Sequence, residues 1–234
     1  MNYKAKTFIV IPVYNESAKI KEVITCLKEE GFHNIVVVED GSKDDSFNNL
    51  LKIKGIHLLQ HIVNRGQGAA IQTGQKYAID NKADYVVHFD GDGQHNYKEI
   101  EKLLKILIKE DLEIVIGSRF KGKNNESNVP LKKVIWLKLG ILFTWFTSGG
   151  VYTDTHNEFR VMTKEAAQAL TISMDRFEHA SEILNEIRRK KLKFKEVPVT
   201  IHYSEYSKSK GQKISNSINI MLNVLWKDIL DIIN

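Results

Sequence analysis

The sequence has little of what marks a secreted, membrane-spanning or disulfide-stapled protein. Its 234 residues include one cysteine, Cys26, which excludes an internal disulfide and a cysteine-based metal cluster. No run of about 18 apolar residues occurs, and residues 1–6 lack the apolar core of a signal peptide. We therefore expect a cytoplasmic protein that neither is secreted nor spans a bilayer.

Proline is also scarce, whereas core-forming residues are plentiful. The chain has 3 Pro, with 42% hydrophobic and 27% charged residues, a composition typical of one globular domain with a sizeable core. The formal net charge of +5 favours anionic partners such as nucleotides, phosphates or anionic lipid. Charge by itself does not choose among them.

Short apolar runs alternate with helical patterns through residue 119. Strands are predicted at 7–11, 35–38, 56–62, 84–90 and 113–117, with Pro12 ending the first, and helices at 20–27, 47–53, 69–78 and 100–108. This alternation predicts an α/β fold with a largely parallel sheet, helices on both faces and ligands at the carboxyl ends of the strands. Beyond it we predict helices at 178–190 and 214–233 and a strand at 196–203, with Pro198 at an edge or bulge.

Polar clusters follow four of the predicted strands, at 12–16, 39–42, 90–95 and 117–119. Because the carboxyl ends of parallel strands meet at one edge of a sheet, we expect these clusters to form a single crevice. Within the third, Asp90 and Asp92 are two residues apart, so extended backbone would place both carboxylates on one face. Oxygen ligands of this kind suit Mg²⁺ or Mn²⁺.

These motifs together carry a resemblance to a known family. The segments VIPVYNE at 10–16, VEDGS at 38–42, NRGQGAA at 64–70, DGDGQH at 90–95 and GSRF at 117–120 occur in that order. Segments 154–160 and 196–199 add two more. The chain resembles family 2 glycosyltransferases, in the branch that includes dolichyl-phosphate mannose synthase.

The resemblance implies a fold, an activity and a division of the chain. The fold would be GT-A, a single domain over 1–234 with a nucleotide-sugar-binding half at 1–120 and an acceptor half at 121–234. The activity would be metal-dependent, inverting transfer from a UDP- or GDP-sugar to a saccharide hydroxyl or a polyprenyl phosphate, with Mg²⁺ or Mn²⁺. The expected role is cell-surface glycan synthesis, in the cytoplasm or at the inner face of the cytoplasmic membrane.

The resemblance also assigns roles to residues. The base and ribose would be held by Pro12, Tyr14, Glu16 and Asp40; the metal and diphosphate by Asp90, Gly91, Asp92 and Gln94, with Arg119 facing phosphate. Asp154 would be the general base, with Glu158 in reserve, and Arg160, Lys208 and Lys210 are candidates for acceptor or phosphate binding. His88 and His95 are expected to be structural, because hard cations prefer oxygen.

The acceptor stays open between the two classes. Glu158 stands where many relatives have glycine, and the late arginine of many relatives is missing, which favours a hydroxyl acceptor. The apolar segment 134–146 favours a lipid acceptor if it is an interfacial helix. On a first reading it is a core helix, and on a second reading it is an interfacial one. On the second reading we predict peripheral membrane contact through Trp136, Phe143, Trp145, Lys132, Lys133 and Lys138.

Two other classes fit parts of the pattern. A Rossmann dehydrogenase would share the alternation of strands and helices, but no G-x-G-x-x-G follows the first strand. A non-catalytic nucleotide-binding protein remains an alternative. A nucleic-acid partner is not expected, because basic residues interleaved with aromatic ones are not clustered anywhere in the sequence.

Overall fold

The computed structural model describes residues 3–121, 152–154 and 157–202. After a short 3₁₀ turn at Tyr3–Lys6, strands and helices alternate. The strands are β1 (Thr7–Val13), β2 (Asn34–Asp40), β3 (His57–His61), β4 (Tyr85–His88), β5 (Ile114–Ser118), β6 (Arg160–Thr163) and β7 (Phe194–Pro198). The helices are α1 (Ile20–Glu29), α2 (Ser46–Leu51), α3 (Gln67–Asp80), α4 (Glu99–Lys109), α5 (Lys164–Ala169) and α6 (His179–Arg189).

The strands form one sheet in the order β3-β2-β1-β4-β6-β5-β7. All neighbours pair in parallel except β6, which is antiparallel to both β4 and β5. The largely parallel sheet was predicted, and Pro198 does lie on an edge strand. Strand β6 was missed because it has four residues, begins with a charged arginine and offers no apolar run.

The core consists of two apolar layers, one on each face of the sheet. Successive side chains of β1 alternate between them: Ile9 and Ile11 enter one layer, Phe8 and Val10 the other. Helices α1 and α4 cover the first layer, whereas α3, α5 and α6 cover the second. Because both faces of β1 are buried, its sequence is an almost continuous apolar run.

Two details differ from the sequence-based expectation. Pro12 does not end β1, because it pairs with Val38 of β2. Its missing N–H faces the β4 side, where the ladder has already ended at Phe89 N, which donates to Val10 O. Ile108 was predicted to face inward but is exposed, since 3.6 residues per turn place it at the margin of the α4 stripe.

Several predictions fall outside the described residues: the helix at 214–233, the apolar segment 134–146 with its lysines and aromatic residues, Lys208 and Lys210. The division into halves at 1–120 and 121–234 therefore stays a prediction. Within the described part of the chain, no helix is both long and apolar enough to cross a membrane.

Candidate functional site

The loops that follow β1 and β2 are tied together at the carboxyl edge of the sheet. Asn15 N donates to Ser42 Oγ over 3.0 Å, and Lys43 N donates to Asn15 Oδ1 over 2.8 Å. Glu16 N donates to Ser46 Oγ over 2.8 Å. Asn15 has a φ of 56°, a left-handed conformation that asparagine tolerates better than most residues. The two loops thus form one wall of a crevice.

The structure places three residues predicted to bind nucleotide on that wall. Tyr14 is 39% exposed. Pro12 and Glu16 are half-buried beside it. Gly91 lies under the same wall: a Cβ there would approach Ile20 Cδ1 to 3.2 Å and Ile11 Cγ2 to 3.3 Å, so a side chain would not fit without displacement.

Asp40 stands at the end of β2 but does not face the crevice with a free carboxylate. Its oxygens accept hydrogen bonds from His61 Nδ1, Asn64 Nδ2, Arg65 N and Gly66 N, at 2.6, 2.8, 3.0 and 2.7 Å. A carboxylate offers about four acceptor positions, so this one is saturated. The contact of Asp40 with base or ribose stays a prediction; in the described part of the chain its carboxylate fixes the loop that leads into α3.

Asp90 and Asp92 follow β4, and each is half-buried. Asp90 accepts one bond at each oxygen, from Gln67 Nε2 at 3.0 Å and from His95 Nε2 at 3.1 Å. Asp92 accepts from Gln94 N at 2.9 Å and from the Gln94 side chain. With about four acceptor positions per carboxylate, both retain capacity for a further ligand.

The electrostatics of this pair suit a cation. Burial and, after it, the negative charge of Asp90 raise the pKa of Asp92, against the hydrogen bonds from Gln94. Two like charges held together in a half-buried site are costly until a positive charge joins them. Among the described residues no cluster of three or more His, Cys, Asp or Glu is arranged to hold a metal. The side-chain oxygens of Asp90, Asp92 and Gln94 are of the type that suits Mg²⁺ or Mn²⁺, which completes its coordination with substrate phosphate.

Arg119 and Asp154 form a buried, bidentate ion pair at the end of β5. Arg119 Nε lies 2.7 Å from Asp154 Oδ2, its Nη2 lies 2.6 Å from Oδ1, and its backbone N also donates to Oδ2 at 2.9 Å. Asp154 is 1% exposed. This arrangement does not by itself support the predicted role of Asp154 as general base or of Arg119 in facing phosphate. The carboxylate of Asp154 is paired with a cation, and the guanidinium of Arg119 faces that carboxylate.

Glu158, Arg160 and His179 form a second buried cluster, between β6 and the start of α6. Glu158 Oε2 accepts from Arg160 Nη1 at 2.8 Å and from His179 Nε2 at 2.9 Å. The other ring nitrogen, His179 Nδ1, lies 2.5 Å from the carbonyl oxygen of Arg176. Because both neighbours are acceptors, both ring nitrogens donate, and His179 is a cation.

The pKa shifts in this cluster follow from those contacts. Burial opposes ionisation of Glu158, but the charges and hydrogen bonds of His179 and Arg160 outweigh it and hold the pKa well below its ordinary value. Burial likewise disfavours the charged ring of His179, yet Glu158 raises its pKa overall. Opposite Arg160 in the ladder, burial and then the arginine charge lower the pKa of His88 to about 3.

Two further predictions change with this cluster. Arg160 is fully buried and ion-paired, so it does not lie on the crevice surface where an acceptor would bind. Glu158 is no reserve base, because a carboxylate with a strongly lowered pKa accepts a proton poorly. His88 is structural as predicted: its Nε2 lies 2.9 Å from Gln75 Oε1.

Sequence reasoning missed two residues that the structure brings to the site. Gln67 reaches Asp90 although 23 positions separate them, and His179 reaches Glu158 across 21. Gln67 lies within a quoted motif, so its place as the first residue of α3 was a usable signal. His179 had no such signal, because a histidine near a predicted helix start has many structural explanations.

Comparison with known proteins agrees with the motifs. Residues 8–171 match the model of glycosyl transferase family 2. An uncharacterized protein of Methanocaldococcus jannaschii is 38% identical over 97% of this chain and 93% of its own length. The UDP-N-acetylglucosamine–dolichyl-phosphate N-acetylglucosaminyltransferase of Methanococcus voltae is 34% identical over 93% of this chain and 94% of its own. A dolichyl-phosphate β-glucosyltransferase of Trichomonas vaginalis is 31% identical over 94% of this chain and 69% of its own length.

Solved structures show the same fold at much lower identity. Glucosyl-3-phosphoglycerate synthase from Mycobacterium tuberculosis, crystallised with Mn²⁺, uridine diphosphate and phosphoglyceric acid, superposes with a TM-score of 0.74 at 16% identity. The match covers 98% of this chain and 79% of that one. At this identity the likeness shows the fold, which is the GT-A fold that the motifs predicted.

The family match, which spans all five ordered motifs and segment 154–160, sets aside the dehydrogenase and non-catalytic alternatives. The Methanococcus voltae and Trichomonas vaginalis relatives are named as dolichyl-phosphate glycosyltransferases, the branch that the motifs resemble. The protein is a glycosyltransferase that uses a nucleotide-sugar donor, and its chain belongs to glycosyl transferase family 2.

Proposed function

We propose that this protein transfers a sugar from a UDP-sugar to a polyprenyl phosphate, with inversion at the anomeric carbon and with Mg²⁺ or Mn²⁺. The observation that carries the proposal is the half-buried pair Asp90 and Asp92 at the carboxyl end of β4, with acceptor capacity left on both carboxylates. Family membership supplies the reaction class, and the relatives' printed activities narrow donor and acceptor.

The donor would lie across the carboxyl ends of β1 and β4. In this proposal Tyr14 contacts the base, Pro12 and Glu16 flank it, and Gly91 lets the diphosphate approach the backbone. Uridine is preferred over guanosine because a relative 34% identical over nearly its whole length is named for a UDP-sugar. Asp40 supports this surface indirectly, by holding residues 64–66.

Asp90, Asp92 and Gln94 would hold the divalent cation together with the donor diphosphate. When bound, that cation supplies positive charge opposite the phosphate oxygens, which lowers the cost of charge that develops on the leaving nucleotide. The two carboxylates would position it, and the half-buried setting of Asp92 would strengthen the interaction relative to one in bulk water.

The acceptor is proposed to be a phosphate because, in the part of the chain that the structure describes, both carboxylates predicted as general bases are already ion-paired. A sugar hydroxyl needs a carboxylate to take its proton, whereas a polyprenyl phosphate is already ionised. Asp154 is engaged by Arg119, and Glu158 by His179 and Arg160. A phosphate oxygen would attack the anomeric carbon as the bond from that carbon to the diphosphate oxygen breaks, and UDP would leave with the electron pair.

Acceptor contacts and location follow from the same proposal. Lys208 and Lys210, which lie outside the described residues, remain the candidates for the acceptor phosphate. Peripheral contact of segment 134–146 with the inner face of the cytoplasmic membrane would deliver a lipid acceptor, and the product would feed cell-surface glycan synthesis.

A transfer assay tests the proposal. The protein is incubated with a panel of radiolabelled UDP- and GDP-sugars and with three acceptors: polyprenyl phosphate, the matching polyprenol and a free saccharide. We expect label in the lipid phase only with a UDP-sugar, polyprenyl phosphate and Mn²⁺ or Mg²⁺, and its loss in EDTA. Transfer to polyprenol or saccharide alone would refute the acceptor, and an axial product from an axial donor would refute inversion.

A further inference from the structure

Asp90 is held from two sides, by Gln67 at the start of α3 and by His95 from further along its own loop. Gln67 Nε2 donates to Oδ1 over 3.0 Å, and His95 Nε2 donates to Oδ2 over 3.1 Å. One bond on each oxygen fixes the plane of the carboxylate and leaves about one acceptor position on each. Asp92, by contrast, is held only by Gln94 of the same loop in the contacts described above. The two carboxylates are therefore oriented by independent means.

Gln67 has little freedom to move away from Asp90. The residue before it, Gly66, donates its N–H to Asp40 Oδ2 over 2.7 Å and has a φ of 118°, and a Cβ there would lie 2.4 Å from Asp175 O. Two residues after it, Ala69 N donates to the same Asp175 carbonyl over 3.0 Å. The first turn of α3 is thus anchored on both sides of Gln67.

His95 is fixed by packing. Its ring packs against both Phe89 and Phe159, with centroids 5.5 and 5.3 Å away, those two rings also contact each other, and His95 is 7% exposed. Backbone contacts add to this: His95 bridges to Ile201, and His202 N donates to Gln94 O over 2.8 Å. A ring held this way presents Nε2 to Asp90 in one orientation.

The geometry points to Gln67 and His95 as positioning residues that set the carboxylate of Asp90 for the divalent cation, without being ligands themselves. This inference rests on the proposed function, because it concerns the metal site of that reaction. Partners that orient a metal ligand commonly contribute about tenfold to hundredfold in metal affinity. Asp40 contributes indirectly to the same arrangement, because the loop that Asp40 holds carries Gln67 to the site.

The variants Gln67→Met and His95→Phe test the inference. Methionine keeps the length of Gln67 and phenylalanine keeps the ring of His95, while each removes the donor to Asp90. Gln72→Met is the matched control, because Gln72 lies on the same helix and donates to Ile172 O, away from the site. Free Mn²⁺ is followed by its paramagnetic resonance signal during titration with each full-length protein, with and without UDP, and urea unfolding is measured in parallel.

We expect Mn²⁺ to bind about tenfold more weakly to Gln67→Met and to His95→Phe, with Gln72→Met unchanged. UDP binding in EDTA should stay the same in all of them, which a general loss of structure would not allow. Mn²⁺ affinity of Gln67→Met within twofold of the unmodified protein would overturn the inference while the proposed function stands. If the unmodified protein binds no Mn²⁺ with UDP, the proposed function fails and the inference falls with it.

Discussion

The guanidinium of Arg119 forms a bidentate pair with the carboxylate of Asp154, with Nε and Nη2 at 2.7 and 2.6 Å from the two oxygens. Parallel bonds of this kind are the strongest pairing that the two side chains make, and both residues are buried. The pair joins the end of β5 to residues 152–154, whose backbone is held in turn by Glu196 of β7. Two residues predicted to have separate chemical roles thus bind each other and connect β5 with β7 through residues 152–154.

Replacing Asp154 with Asn tests which role matters. Asparagine has the same size but no charge, so the buried Arg119 would lose the opposite charge of Asp154; we expect a loss of about 3 kcal/mol in unfolding free energy. The rate of sugar transfer should fall, but the decrease of kcat toward low pH should remain. Asp111→Asn, at an exposed pair with Lys193, is the control and should change neither. Disappearance of the acidic limb at unchanged stability would restore Asp154 as the general base.

Replacing Asp92 with Asn should separate stability from metal binding. The change removes one of two like charges from a half-buried site, so the metal-free protein should be as stable as the original or more so. Mn²⁺ with UDP at about 100 times Kd should stabilise the original protein by roughly 2.7 kcal/mol and the variant far less. Thermal unfolding with and without the two ligands measures both. An equal ligand-induced rise in Tm would remove Asp92 from the metal site.

The Glu158–His179 pair predicts a particular dependence of stability on pH. His179 has a raised pKa, so its contribution is complete below about pH 6.5 and is lost as pH rises through the raised value. Glu158 has a lowered pKa, so its contribution is complete above about pH 4.5 and is lost as pH falls through the lowered value. Both contributions are therefore complete between about pH 4.5 and 6.5.

Glu158→Gln should accordingly cost most within that window, about 3 kcal/mol at pH 5.5, and less at pH 9. Urea unfolding of both proteins at each pH gives the difference. His88 has an opposing effect: because its pKa is about 3, its contribution to stability decreases as the pH is lowered below about 6.5, and this decrease is common to both proteins. Glu22→Gln, at the exposed pair with Lys19, should change stability by less than about 0.5 kcal/mol at either pH. A cost for Glu158→Gln that is equal at pH 5.5 and pH 9 would show that His179 is not its charged partner.

Gly66→Ala should damage both fold and site. Gly31→Ala is the comparison: both glycines have positive φ, but a Cβ at Gly31 meets nothing closer than 3.8 Å, whereas at Gly66 it meets Asp175 O at 2.4 Å. We expect Gly31→Ala to lower the free energy of unfolding by about 1 kcal/mol through backbone strain alone, and Gly66→Ala to lower it by clearly more. Only Gly66→Ala should also weaken Mn²⁺ binding, because it displaces Gln67. Equal effects on urea unfolding and on Mn²⁺ titration would contradict this.

Much of the fold was predictable because its signals are local. Apolar runs such as that of β1 and stripes such as Ile100, Leu103 and Leu104 in α4 report burial directly through their period. The placing of Asp90 and Asp92 at one strand end followed from the same patterns, since parallel strands point their carboxyl ends the same way. The ordered motifs then identified the family.

Pairing between distant residues was decided only by the tertiary structure. Nothing local to Asp40, Asp154 or Glu158 tells whether a carboxylate faces solvent, a ligand or a buried cation, because that depends on which chain segment packs opposite it. His61 and residues 64–66 saturate Asp40, Arg119 engages Asp154, and His179 contacts Glu158 from the first turn of α6. The sequence by itself determined the sheet, the family and the position of the acidic edge; packing across the sheet decided which of those carboxylates remain able to bind a cation.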